Sequence, residues 1–112
     1  MYTYEYYTTR QGEQPLRDWI AALPKNERAI IRQKIQKLAE EGFKLLKTNM
    51  LKTIEDYGGD FYELIGGHLR IGVYFDRSKN MFILLHGWRK KRQRQPREID
   101  KAFSKLKDYL SY

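Results

Sequence analysis

Apolar residues recur with two different periods along this chain. Tyr2 to Thr8, rich in tyrosine and threonine, predicts a strand that Gln11-Gly12 ends. Leu16, Trp19, Ile20 and Leu23 then follow at i, i+3, i+4 and i+7, one stripe of a helix that Pro15 opens and Pro24 closes. A longer helix, capped at or near Asn26, carries Ile31, Ile35 and Leu38 and ends at Gly42. The stretch from Phe43 to Ile54 predicts a short helix and a loop carrying Lys44, Lys47 and Lys52. From there the period changes to two. Strands are predicted over Asp60–Ile65, His68–Phe75 and Met81–Gly87, separated by a Gly66-Gly67 hairpin turn and by the polar turn Asp76–Asn80. Met81–Leu85 is apolar on both faces, the mark of a central strand. Pro96 starts a last helix with the stripe Ile99, Ala102, Phe103, Leu106 and Leu110.

The reading is β-α-α-β-β-β-α, an α+β fold whose small, antiparallel-rich sheet has helices packed on it. The 112 residues predict a single domain over 1–112. No apolar run nears the ~18 residues that span a membrane. Met1–Tyr7 lacks the pattern of a signal peptide, so the cytoplasm is the expected compartment.

Charge changes the picture more than composition does. Lys and Arg number 22 against 14 acids, a net charge of +8. Arg89, Lys90, Lys91, Arg92, Arg94 and Arg97 lie within nine residues with no acid among them. Counter-ion release favours such a cluster on a phosphate backbone, so a nucleic acid is the first partner inferred. The cations of the second helix, Arg28, Arg32, Lys34 and Lys37, read instead as a solvated face.

The usual catalytic kits are missing. There is no cysteine, and the two histidines, His68 and His86, form no metal-binding spacing; a metal site is not expected. No glycine-rich cradle for a nucleotide cofactor is present, and no cofactor is implied. Cations and aromatics on a sheet remain. Alternation in His68–Phe75 puts Leu69, Ile71, Val73 and Phe75 on a core face, and His68, Arg70, Gly72 and Tyr74 on the other, read as polar. Arg70, beside a glycine gap, suits a phosphate, or else is an ordinary surface arginine. Trp88 suits base stacking, or else anchors the last helix; His86 alone is more often structural than catalytic.

Phe61-Tyr62-Glu63-Leu64, Leu69-Arg70-Ile71 with Tyr74, Ile83-Leu84-Leu85-His86-Gly87-Trp88-Arg89-Lys90-Lys91, and Pro96, Glu98, Ile99 and Ala102 together resemble the phage-derived Gp49-like group, HigB-type toxins of the RelE/ParE superfamily. The resemblance spans about residues 16 to 109. It implies a small antiparallel sheet with helices on one side. It further implies a toxin of a type II toxin–antitoxin pair, an mRNA endonuclease acting on translating ribosomes, and a helix-turn-helix antitoxin (HigA-like) as partner. Two departures stand out: Ile65 replaces the arginine common after Tyr-Glu-Leu, and Trp88 replaces a commoner phenylalanine.

The implied chemistry is attack of a ribose 2′-OH on the adjacent phosphodiester, which needs a base, a stabiliser of the phosphorane and an acid. Arg70 is the expected stabiliser, and Lys90 or Lys91 neutralises charge or moves a proton. His86 and Lys52 stand in the second rank, and Tyr74 orients or stacks. Lys52, Trp88, Arg89, Arg92, Arg94 and Arg97 are expected to hold RNA. The rival reading is a non-catalytic nucleic-acid-binding module or a ParE-like gyrase inhibitor, marked by a basic rim without a convergent Arg–Lys pocket.

Overall fold

The computed structural model describes residues 1–91 and 96–111. Five strands, β1 (Thr3–Tyr6), β2 (Leu51–Thr53), β3 (Phe61–Gly66), β4 (Leu69–Asp76) and β5 (Met81–Arg89), form one sheet in the order β1-β5-β4-β3-β2. Three α-helices accompany it: α1 (Pro15–Ala21), α2 (Lys25–Glu41) and α3 (Pro96–Leu110), with a 3-10 turn at Gly42–Lys47. β2–β3, β3–β4 and β4–β5 pair antiparallel, while β1 lies parallel to β5. The α+β fold stands, and β5 is an interior strand between β1 and β4, in keeping with its two apolar faces.

Three expectations are corrected. The Phe43–Ile54 stretch holds the expected short helix, of 3-10 type, but part of its expected loop is strand β2; at three residues, β2 is too short to carry a period. Pro24, not Asn26, sits at the N-cap of α2, where its missing N–H leaves no hydrogen bond unmade. The helices do not share one side of the sheet. Leu16 and Ile20 of α1 and Ile31, Ile35 and Leu38 of α2 pack with Leu64, Leu69, Ile71, Val73 and Leu84 on one face. Ala102 and Leu106 of α3 pack with Phe61, Ile83 and Leu85 on the other. Each of these buried Leu, Ile, Val and Phe side chains contributes about 1.5–3 kcal/mol.

The β4–β5 ladder contains a bulge. Gly72 pairs with His86 but Val73 with Leu84, so Leu85 is an extra residue on β5. The added residue reverses the alternation beyond it, and Leu85 and His86 both turn toward α3. α3 is held by Tyr109 Oη donating to Asp76 Oδ2 at 2.6 Å, by Tyr7 donating to Asp108, and by Tyr57 donating to Asp100 Oδ1 at 2.9 Å. The hydrogen bonds from Ser78 and Tyr109 hold the Asp76 carboxyl below its ordinary range.

Two glycines let helices reach the sheet from opposite faces. A Cβ on Gly87 would stand 2.5 Å from the Trp19 ring of α1, and one on Gly72 would stand 2.7 Å from Ala102 Cβ of α3. Gly72→Ala is therefore expected to lower stability by about 1–3 kcal/mol, since strand or helix must shift. Adding Ala102→Gly should recover part of the loss although glycine itself weakens a helix. Urea unfolding of both variants tests this; an unchanged midpoint for Gly72→Ala would contradict the close approach.

Candidate functional site

The sheet face toward α3 can be read in rows across the strands. Lys52, Glu63, Gly72 and His86 form one row over β2, β3, β4 and β5, and Ile65, Arg70 and Trp88 form the next, nearer the β3–β4 turn. That turn is the two-residue loop Gly67–His68, not Gly66-Gly67, since Gly66 pairs with Leu69; His68 thus belongs to the turn. The glycine at 67 has φ 61°, the left-handed conformation such a turn requires.

Arg70 is not on an open polar face. Its side chain is buried, with 8% of the residue exposed. Its Nη1 donates to the carbonyls of Gly67 at 2.6 Å and Leu69 at 2.9 Å, which fixes the guanidinium under the turn. Its buried Nε has no hydrogen-bond partner, and no carboxylate pairs with it among the described residues. A buried cation without an anion is costly, and its neutral carbonyl partners leave the charge uncompensated. Lys90 and Lys91 are exposed and leave β5 at the same end of the sheet, where the Lys90 N–H donates to the His68 carbonyl at 2.7 Å. The Arg70 guanidinium and the two lysines thus share one end of the sheet.

The other predicted residues separate. Tyr74 shares the Arg70 face but lies four residues along β4, about 13 Å. There it meets the Tyr109 ring at 6.2 Å, with the Gly72–Ala102 contact in between. Trp88 is buried at 5% exposure and stacks on His86 with ring centroids 5.9 Å apart, so it anchors the interior rather than offering a free platform for a base. Arg89 turns to the opposite face and pairs with Glu27 of α2. Lys52 lies exposed on the edge strand β2, and Arg97 lies exposed in the first turn of α3. Arg92 and Arg94 lie outside the described residues.

Two features escaped the sequence reading. The first is Glu63, half-buried between Lys52 and Gly72 in a groove also lined by Tyr57, Pro96 and Ile99. Alternation over Phe61–Gly66 was its available signal. The second is the setting of His86. Its Nε2 lies 2.8 Å from Glu98 Oε2 and its Nδ1 lies 3.0 Å from Lys105 Nζ. Glu98 and Lys105, seven apart on α3, repeat the two-turn helical spacing.

Burial pushes the His86 imidazole below its ordinary pKa; the hydrogen bond to Glu98 opposes this and the Lys105 charge reinforces it. Glu98 is shifted down as well: burial alone would raise it, but the hydrogen bonds from His86 and Lys101 outweigh burial. The unfolded chain takes up a proton on His86 below ~6.5 while the folded chain resists it, so the stability from neutral His86 is complete above ~6.5 and is lost as pH falls. Glu98 titrates lower, outside this window. The urea midpoint should therefore decline between pH 7 and 5, and His86→Gln should flatten that decline. Equal slopes in the two proteins would remove His86 as the cause.

Comparison with known proteins now adds to this geometry. No curated protein matches the chain. Among solved structures, the archaeal RelE–RelB complex from Pyrococcus horikoshii contains a chain matching with a TM-score of 0.64 and 16% identity, over 82% of this chain and 98% of that one. The RelBE2 toxin–antitoxin complex from Mycobacterium tuberculosis matches with a TM-score of 0.52 and 16% identity, over 80% of this chain and 98% of that one. At such identity the likeness is one of fold, and the fold is RelE-like. Residues 18–107 match the family described as phage-derived protein Gp49-like, which covers most of the sequence, and the chain belongs to that family.

Proposed function

We propose that this chain is the toxin of a type II toxin–antitoxin pair and that it cuts mRNA on translating ribosomes without a metal. The observation that carries the reading is Arg70, a buried guanidinium with an unpartnered Nε and no carboxylate, at the sheet end where Lys90 and Lys91 emerge. Such a group is stabilised by an anion that arrives from outside, and a phosphodiester supplies one. The net charge of +8 favours the same partner. Support for a protein antitoxin comes from the fold: one of the similar structures is the RelBE2 toxin–antitoxin complex, and another is a RelE–RelB complex. A helix-turn-helix antitoxin, HigA-like, is the partner this family resemblance favours.

The division of labour follows from the rows. Arg70 stabilises the charge that develops on the phosphorane oxygens. Glu63, one strand and one row away on the same face, takes the proton of the 2′-OH. Lys90 or Lys91 protonates the leaving 5′-oxygen, and Lys52, across β2–β3 from Glu63, holds a neighbouring phosphate. His86 has both ring nitrogens engaged by α3 and supports the face instead of moving protons in the reaction. Tyr74 and Trp88 act by packing.

Arg70→Ala should lower cleavage by on the order of 10²–10³. It also frees the Gly67 and Leu69 carbonyls, costing about 1 kcal/mol each, which a thermal melt will register without loss of the fold. Arg70→Lys should restore only part of the activity, because an ammonium lacks the planar fork. Primer extension on mRNA with translating ribosomes reads both. A folded Arg70→Ala protein cleaving at the native rate would overturn the assignment, and a native chain that cleaves no RNA and is harmless in cells would overturn the toxin reading itself.

A further inference from the structure

The Glu98–His86–Lys105 chain lies one row from Arg70, where α3 covers the sheet, and it has the order of a general-base device. We propose that Lys105 is an activated amine and a site of covalent acylation by small acyl phosphates, with His86 as its base and Glu98 as the orienting carboxylate. The inference rests on side-chain geometry and stands whether or not the chain cuts RNA.

The hydrogen bonds fix the direction of proton flow. An ionised Glu98 carboxylate only accepts, so the 2.8 Å contact puts the imidazole proton on Nε2. Nδ1 is then a lone pair, and the Lys105 Nζ 3.0 Å away donates to it. Carboxylate, imidazole and nucleophile thus stand in series, as in general-base activation of a hydroxyl or thiol, with an amine in the third place. The imidazole cannot swing away: it is half-buried and stacked on Trp88 at an interplanar angle of 23°. Burial also lowers the Lys105 pKa; Glu98 opposes that shift and Lys101 adds to it. The neutral, nucleophilic amine is therefore more accessible here than on a solvated lysine.

The surroundings select the reagent. Lys105 opens on a depression lined by His86, Arg97, Asp100, Lys101 and Ser104. Arg97 and Lys101 are exposed cations two turns and one turn back along the same face of α3. Lys101 is already paired with Glu98 at 3.1 Å, whereas Arg97 makes no ion pair with a described residue. A guanidinium with free donors beside an activated amine suits a reagent with phosphate at one end and an acyl carbon at the other.

The step balances without a further reactant. His86 Nδ1 takes a proton from the Lys105 ammonium, and the amine attacks the acyl carbon to form the C–N bond. The bond from that carbon to the bridging oxygen breaks, and inorganic phosphate leaves with the electron pair. The remaining nitrogen proton passes to solvent, which leaves an amide at Lys105. Nothing is oxidised or reduced.

The test uses the full chain with acetyl phosphate at neutral pH and site-resolved mass spectrometry of every lysine. Lys105 should be acetylated ~10-fold or more faster than the exposed Lys47 and Lys107. His86→Gln should bring it down to their rate. Arg97→Ala, which leaves the hydrogen-bonded chain intact, should slow the reaction with acetyl phosphate but not with an uncharged acetyl ester of N-hydroxysuccinimide. Acetylation of Lys105 no faster than of Lys47 and Lys107 in the native chain would overturn the proposal. So would retention of the fast rate in His86→Gln. An equal effect of Arg97→Ala on both reagents would overturn the phosphate part.

Discussion

Much of this molecule depends on how closely α3 lies on the sheet. Gly72 presents bare backbone in the middle of β4, and Ala102 occupies the space a side chain would take. From that contact the other features of this face follow. Phe61, Ile83 and Leu85 are buried under the helix; Asp76 and Glu98 tie its two ends to the sheet, and Asp100 ties it to the β2–β3 loop. The sheet is thereby covered on both faces. Its ends and its two margins, β1 and β2, are left to meet a partner, and Arg70, Lys90, Lys91, Lys52 and Glu63 gather at one end and along the β2 margin.

The same covering explains why part of the site was legible in the sequence and part was not. Period-two alternation in β4 is a local property, so the core face of Leu69, Ile71, Val73 and Phe75 was readable, and so was the membership of Arg70 in the opposite face. Whether a helix lies on that second face is not local. Arg70 and Tyr74 therefore read as groups on a polar face although both pack into the interior or beneath α3, whereas for Trp88 the packing alternative that the sequence offered is the one found. On β5 the difficulty was the bulge. Strict alternation from Phe82 would place His86 and Trp88 beneath α1 and α2; the extra residue Leu85 sends both to the α3 side. Nothing in the run Ile83-Leu84-Leu85 announces a bulge, since every residue there is apolar. Strand β2 was lost because three residues are too few to establish a period.

The cations also divide in a way that their count does not reveal. Arg89 and Arg77 are committed to the carboxylates Glu27 and Asp60, and such exposed pairs contribute little to stability. Arg70 differs from both. It is buried, bound to neutral carbonyls, and keeps its full charge without a counter-ion among the described residues. A buried guanidinium held only by two neutral carbonyls is an expensive feature, and anion capture is the physical role that offsets the expense. The function proposed for this Gp49-like chain rests on that asymmetry.

The most direct measurement is of the Arg70 Nε–H itself. In a 15N-labelled chain, the arginine Nε–H resonances can be followed by NMR while a short RNA carrying 2′-O-methyl groups, which cannot be cleaved, is added. Capture of a phosphate by Arg70 predicts a saturable shift of its Nε–H and slowed exchange of that proton with water, while the Arg77 signal stays in place. Binding of the RNA that moves signals of exposed arginines and lysines but leaves the Arg70 Nε–H unchanged would contradict the account.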